Sequence, residues 1–558
     1  MIHFNTSKRW RLKSRKLTLV YYFAHRARRK NKMTAVLCSI LLVVFFAVMI
    51  GVGFYTRKNA TDVNGFVLGG RSVGPWLTAF AFGTSYFSAV IFVGYAGQFG
   101  WLYGTSATWA GLGNAFIGSL LAWNILGRRT RIMTQALDAK TMPDFFGKRF
   151  GSTALKVAAS VIVFIFLIPY TASLYNGLSS LFGLVFDIPY WVVIAIMAVL
   201  TGVYVIFGGY MATAINDFIQ GIIMLVGICA VIGAVIKDNG GLVAAMQSLA
   251  AVPADGWEAG GAYASFFGPD PLALLFVVIL TSLGTWGLPQ MVGKFYAIKS
   301  EKDIHKGTVI STVFAIIVAG GCYFLGGFGR LYADSIKYNE ATGKPLFDTI
   351  VPTMLSTLAP VIIAVVIVLV LSASMSTLSS LVLTSSSTFT LDVIKPAKKD
   401  MTDAKQVTTM RIFIVFFILV SAVIAIFKDA NPSVTFIAQM MGVSWGALAG
   451  AFLAPFLYGL YWKGITKVSV VVCFIWGCSL AVLQLIVSLA KIDMSGFGTV
   501  IAYIFKSSIN SGVVAMVGGL VIVPIISLCT KKLDAKEVDK MFECFDEKVT
   551  VAKKEALD

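Results

Sequence analysis

"TSLGTWGLPQMVGK", Thr281–Lys294, overlaps the end of an apolar run at roughly 271–291. Such a run is long enough to cross a bilayer. A straight helix is the ordinary way across, but Gly284, Gly287 and Pro289 argue against one here. Glycine weakens a helix, and proline removes an amide and clashes with the carbonyl four residues back. Unwound backbone at membrane depth is tolerated only where it is buried in protein or lines a cavity. A span broken in this way frees carbonyls for a cation and turns a half-helix N-terminus toward an anionic group. Kinks and tight packing would account for one such run.

A second run makes that plain account harder to hold. "FGTSYFSAVIFVGYAG", Phe82–Gly97, puts Gly83, Thr84, Ser85 and Ser88 at mid-depth of another span. Two interrupted spans, five spans apart, suggest corresponding members of an inverted repeat. The repeats are then spans 2–6, about 76–236, and spans 7–11, about 271–461. A third run, "SASMSTLSS" at Ser372–Ser380, holds five serines and a threonine in nine residues. In a helix such hydroxyls back-bond to carbonyls one turn away, which accounts for one or two of them. Ser376, Thr377 and the carbonyl of Ala373 also offer three neutral oxygens in one small volume. A hard monovalent cation needs several such oxygens. Carbonyls from the broken part of span 2 complete the shell.

The composition agrees with a membrane setting. The chain has 558 residues, 57% hydrophobic and 13% charged, with a mean hydropathy of +0.82. Soluble proteins carry about 25% charged residues. Thirteen apolar segments of spanning length can be drawn: 34–55, 76–98, 107–127, 155–185, 189–207, 211–236, 271–291, 307–329, 350–390, 409–427, 433–461, 468–489 and 511–529. The expected fold is therefore an all-α polytopic membrane protein with about 13 transmembrane helices.

The net charge of +19 reads as topology rather than as a nucleic-acid footprint. With span 1 starting outside, twenty Lys/Arg fall in cytoplasmic loops, Lys294 among them, and seven in external ones. The positive-inside rule then puts the N-terminus outside and the C-terminal tail, 531–558, in the cytoplasm of a cell that carries the chain in its plasma membrane. Residues 1–32, with eleven Lys/Arg and no acid, break this pattern. They are read as sequence upstream of a start at Met33, ahead of a membrane domain at 33–530.

No Lys or Arg is expected deep in a span, and Asp217, in "YMATAINDFIQG", is the clear internal acid. An intramembrane carboxylate is a functional residue by default. The alternative is that it caps a helix that begins later. Seven cysteines and three histidines form no disulfide framework or metal spacing, and small buried hydrophobes is the expected cysteine role. "GVSWG", Gly442–Gly446, fits a nucleophile pattern but lies within a span, where its glycines suit close helix contact. Asn59-Ala-Thr61 is a glycosylation sequon on the inner side. An enzyme lacks a nucleophile–base pair here. A sensor would need a separate signalling partner, because the tail is short.

These stretches, with "GFVLGGRSVGPW" (Gly65–Trp76) and "FGGYMATAINDFIQG" (Phe207–Gly221), resemble the sodium/solute symporter family, in its proline- and pantothenate-permease branch. The resemblance runs from about Met33 to Leu528. It implies a LeuT-type inverted-repeat fold with one helix before the repeat and two after. It implies a sodium site made by the backbone oxygens of Thr84, Phe87 and Ala373 and the hydroxyls of Ser376 and Thr377. Asp217 matches the acid near the inner sodium exit. Proline permeases have an aspartate at the place of Tyr86, and a tryptophan and a tyrosine at those of Thr281 and Thr285. "TSYFSA" and "GLPQ" look more like pantothenate permeases. Sodium-coupled symport of pantothenate or another small carboxylate is the expected function. Sodium/proline symport and proton coupling are the alternatives. Tyr86, Ser88, Thr281, Thr285, Trp286 and Gln290 are the candidate solute contacts. No cofactor beyond the carried sodium ion, and no nucleic acid, is expected.

Overall fold

The computed structural model describes residues 34–182, 186, 188–258, 260–339, 343–398, 400–429 and 437–546. The basic extension at 1–32 and the tail beyond 546 lie outside the described residues. The regular structure is helical, and two isolated bridges are the only β pairing among the described residues.

In chain order the helices that matter are α1 (Thr34–Asn59), α2 (Pro75–Tyr86), α3 (Ala96–Tyr103), α4 (Met142–Arg149), α5 (Thr153–Phe182) and α6 (Tyr190–Asp238). They continue with α7 (Pro271–Gly287), α8 (Pro289–Ala297), α9 (Glu301–Ala315), α10 (Gly321–Gly326) and α11 (Pro360–Thr388). The last are α12 (Asp403–Asp429), α13 (Ile437–Tyr461), α14 (Lys467–Leu489), α15 (Ser508–Cys529) and α16 (Ala535–Phe542).

Ten helices, or eleven with α7 and α8 taken as one bent span, are long and apolar enough to cross a membrane. Two of the ten, Val90–Ala136 and Tyr190–Asp238, are 47 and 49 residues long. Each is about twice the length a bilayer needs and holds two of the segments drawn from sequence. Glycine makes each reversal. Gly104 (φ 63°, ψ −144°) and Gly209 (φ 54°, ψ −143°) adopt a backbone conformation closed to residues with a Cβ. Counted this way, each of the thirteen segments holds helix among the described residues. One boundary is corrected: residues 350–390 are not a single span. A short helix, Ile350–Ser356, stops before Pro360, which opens α11 as a first-turn proline.

Both interrupted spans are broken. α2 ends at Tyr86, and Phe87 is extended (φ −80°, ψ 118°) before the chain turns helical again and runs into α3. α7 ends at Gly287, and Leu288 takes almost the same conformation (φ −87°, ψ 120°), so that α8 leaves at 47°. Pro289 dictates the second break, because its ring drives the preceding residue out of the helical region. α11 runs between them, packed on α6 and α5 and touching α2. α13, α14 and α15 pack together beside this core.

The basic loops gather at one end of the bundle. Arg71 binds the carbonyls of Tyr296 and Ala139, and Arg131 that of Ile298. Arg129 and Arg149 bind the carbonyls of Leu460, Gly459 and Trp462, at the C-terminus of α13. A helix leaves its last carbonyls without partners, and a cation suits that end of the dipole. α16 lies on the same end, through Lys463–Asp539 (2.6 Å) and the Arg149–Phe542 stack. Cys38, Cys322 and Cys473 are buried as expected, but Cys229 and Cys529 face outward.

Candidate functional site

The break in α2 places its backbone against the hydroxyl-rich turn of α11. Thr84 lies in the last turn of α2, where carbonyls have no helical partner, and Phe87 lies in the gap. Thr377 Oγ1 stands 3.2 Å from the Thr84 carbonyl, 3.3 Å from that of Phe87 and 3.1 Å from that of Ala373. Ser376 Oγ is 3.2 Å from the Thr84 carbonyl and 3.1 Å from that of Ala373. All five residues are buried. A hydroxyl has one proton to donate, so Thr377 can satisfy only one of its three carbonyls at a time. The cluster holds more lone pairs than protons.

Hydrogen bonds lead from this cluster toward the basic end. Ser380, one turn beyond Ser376, lies 2.9 Å from Ser85 Oγ and accepts a hydrogen bond from Lys294 Nζ at 3.0 Å. Lys294 stands 3.6 Å from Asp217. Asp217 is completely buried within α6 and caps no helix. Lys294, assigned above to a loop, is instead 3% exposed on α8. The expectation of no Lys within the spans is thus corrected. Burying Asp217 without a cation would be costly, and α8 supplies one across the bundle.

The candidate solute contacts separate into three groups. Tyr86 and Ser88 flank the break and have buried hydroxyls without a hydrogen-bond partner within 3.5 Å among the described residues. The Tyr86 hydroxyl faces those of Tyr323 and Thr281, and Ser88 faces Tyr170. The Trp445 ring stands 5.8 Å from the Tyr86 ring and 6.1 Å from that of Tyr170. The polar atoms of Tyr170, Tyr323 and Trp445 are also unpartnered. Thr281 back-bonds to Val277 at 2.9 Å within its own helix. Thr285 and Trp286 are turned elsewhere: they donate to the carbonyls of Gly118 and Ile117 and tie α7 to the neighbouring span. Gln290 lies past the second break, beside Lys294, in a different cavity.

Sequence reasoning missed Tyr170, Tyr323, Trp445 and Lys294. It also missed Asp392, which is fully buried at the end of the α11 span. Asp392 accepts a hydrogen bond from Thr141 at 2.6 Å and lies 3.2 Å from Lys156, which also binds Asp144 at 2.7 Å. Burial raises the Asp144 carboxyl, but Lys156 and Lys148 outweigh it and hold the group below its ordinary range. The signal for Asp392 was one acid between an apolar run and a basic loop, which reads as an interfacial residue.

A bundle of apolar helices, with two spans broken around a buried polar centre, defines a secondary transporter rather than an enzyme. The chain belongs to the sodium:solute symporter family, whose pattern matches residues 66–477. It is 30% identical over 482 residues to the osmoregulated proline transporter OpuE of Bacillus subtilis, covering 86% of this chain and 94% of that one. It is also 30% identical over 451 residues to a sodium/proline symporter of Staphylococcus aureus, covering 77% and 82%. Among solved structures it is similar to a Na+-coupled sialic acid symporter in a substrate-bound outward-open state. The TM-score is 0.69 and the identity 17%, over 89% of this chain and 99% of that one. The fold is thus of the LeuT type, and the chain is a multi-pass membrane transporter that couples solute movement to sodium.

Proposed function

We propose that this chain is a symporter of sodium with proline or a closely similar small zwitterion. The observation that carries the reading is the convergence of five oxygens, from Thr84, Phe87, Ala373, Ser376 and Thr377, at the break in α2. Ligand oxygens stand roughly 2.3–2.6 Å from a calcium ion, which sodium matches closely in size, so neighbours in such a shell lie roughly 3–3.5 Å apart. The spacing of these oxygens suits that shell, and their shortage of protons favours a cation over a closed hydrogen-bond network. No ligand in the set titrates at neutral pH, which favours sodium over a proton.

Sodium in this cage ties the broken span to α11 and holds the flanking turn of Tyr86 and Ser88 in place for the solute. By linkage, solute then raises the affinity for sodium by the same factor. Asp217, beyond the cage, draws the ion toward the basic end. That end is the cytoplasmic side by the positive-inside rule, which puts the N-terminus outside.

Proline replaces pantothenate as the expected solute. The relatives above carry proline in their names. The cluster of Tyr86, Tyr170, Tyr323 and Trp445 contains no charged side chain and offers aromatic faces to a ring and its ammonium. The proline permeases' aspartate is replaced by Tyr86, so here the cation is met by ring faces and hydroxyls. Ser88, next to Phe87 of the cage and facing Tyr170, would receive the carboxylate together with the bound sodium.

The test is uptake of labelled proline into proteoliposomes under an inward sodium gradient, with pantothenate as competitor. The expected result is uptake at least tenfold above the no-gradient control, lost when potassium replaces sodium and unaffected by pantothenate. Uptake that pantothenate inhibits, or that a proton gradient drives without sodium, would overturn the reading.

A further inference from the structure

A second buried polar cavity lies beside the break in α7, toward the basic end. α8 is the half-helix that leaves the break at Leu288, and Gln290 and Lys294 lie one turn apart on it. Both line a narrow cavity of about 40 Å³ that Tyr210 and Ser380 also line, and that reaches Lys140 and Thr141 at the basic end. It has room for a few waters or a carboxylate head, not for a whole solute. Gln290 is 2% exposed, yet among the described residues neither its amide oxygen nor its amide nitrogen has a hydrogen-bond partner, and the Tyr210 hydroxyl has none.

Lys294 is only half committed. Its ammonium carries three donors. It hydrogen-bonds Ser380 at 3.0 Å and rests 5.2 Å above the Tyr210 ring. Asp217 is 3.6 Å away, an ion contact beyond hydrogen-bond reach, and both its carboxylate oxygens lack hydrogen-bond partners among the described residues. A pair of this kind is held by charge alone. A sodium ion at Asp217 would take over its charge balance and leave the ammonium beside the unused Gln290 amide and Tyr210 hydroxyl. That set of groups suits an anion with two oxygens.

We propose that Lys294, Gln290 and Tyr210 form an inner staging site for the carboxylate of the solute, unlocked when sodium reaches Asp217. The inference rests on the reading above, that the solute is a small amino-acid-like carboxylate. The two ions exchange partners inside the bundle: sodium goes to Asp217 and the carboxylate to Lys294. Neither buried charge is left alone during release.

The experiment is a double-mutant cycle on labelled proline uptake at saturating sodium, with wild type, Lys294→Gln, Asp217→Asn, Asp217→Asn/Lys294→Gln and Lys294→Arg. Gel filtration checks each protein, and the double variant leaves no buried charge unpaired if a single one fails to fold. The staging site predicts that the double variant turns over about tenfold more slowly than Asp217→Asn alone. It also predicts that Lys294→Arg retains most of the wild-type rate. If the double variant is as fast as Asp217→Asn, or if Asp217→Asn fails to fold and the double variant matches wild type, Lys294 only balances Asp217 and the inference fails by itself. If wild type carries no proline, the reading beneath it fails and takes the inference with it.

Discussion

Thr377→Ala is expected to raise the sodium concentration for half-maximal proline uptake by tenfold or more. The Thr377 oxygen is the one that faces three carbonyls, those of Thr84, Phe87 and Ala373. Alanine removes it without refilling the space, so a cation in the cage loses one of five ligands. The lost contact is worth about 1.5–3 kcal/mol if it is comparable to a hydrogen bond to a charged group. Each 1.4 kcal/mol is roughly a factor of ten in affinity. Thr377→Ser keeps the oxygen and loses only a methyl, so it should stay within a few-fold of wild type. Ser376→Ala should have a smaller effect, because Ser376 meets two of the carbonyls. The measurement is a sodium titration of uptake at fixed proline. Unchanged half-saturation in both alanine variants would remove sodium from this cage.

Gly326→Ala is expected to abolish transport by preventing assembly rather than by touching either ligand. Gly326 ends α10, and a Cβ there would lie 2.1 Å from the carbonyl oxygen of Ala96, at the start of α3. Across the same contact, a Cβ on Gly100 would lie 2.0 Å from the Gly326 carbonyl oxygen. Both obstacles are backbone, so no side chain can swing away. Membrane helices associate through such small-residue contacts because no hydrophobic drive exists between them. Overpacking costs about 1–3 kcal/mol where neighbours can yield, and more where they cannot. The check is thermal stability in detergent beside a neutral substitution such as Gly51→Ala, which meets nothing within 4 Å. A Gly326→Ala protein that melts with wild type would show that the contact yields after all.

The two breaks were legible in sequence to different degrees. Pro289 locates the second from local chemistry, since its ring excludes helix at Leu288. The first has no proline. Its glycine and hydroxyl run showed that a span was weak, but the extended residue, Phe87, is set by partners on α11 far along the chain. The hydroxyls of Ser376 and Thr377 were legible because hydrocarbon gives such groups no partner. Tyr170, Tyr323 and Trp445 were not, because an aromatic inside an apolar run looks the same whether it faces lipid, a neighbour or a cavity. Thr285 and Trp286 show the converse, since their polar atoms serve helix contacts. Lys294 was hidden by charge counting, which treats every lysine at the end of a span as loop.

The unpartnered hydroxyls around the first break also make the protein its own reporter. Tyr86, Ser88, Tyr170, Tyr323 and Trp445 have buried polar atoms without a hydrogen-bond partner within 3.5 Å among the described residues. A molecule that satisfies them stabilises the folded state in proportion to how tightly it binds. Purified protein in detergent should therefore melt several degrees higher with its true cargo than with a near miss, and higher still with sodium present. A melting screen over a shelf of small solutes can then rank cargo with no vesicle, gradient or isotope.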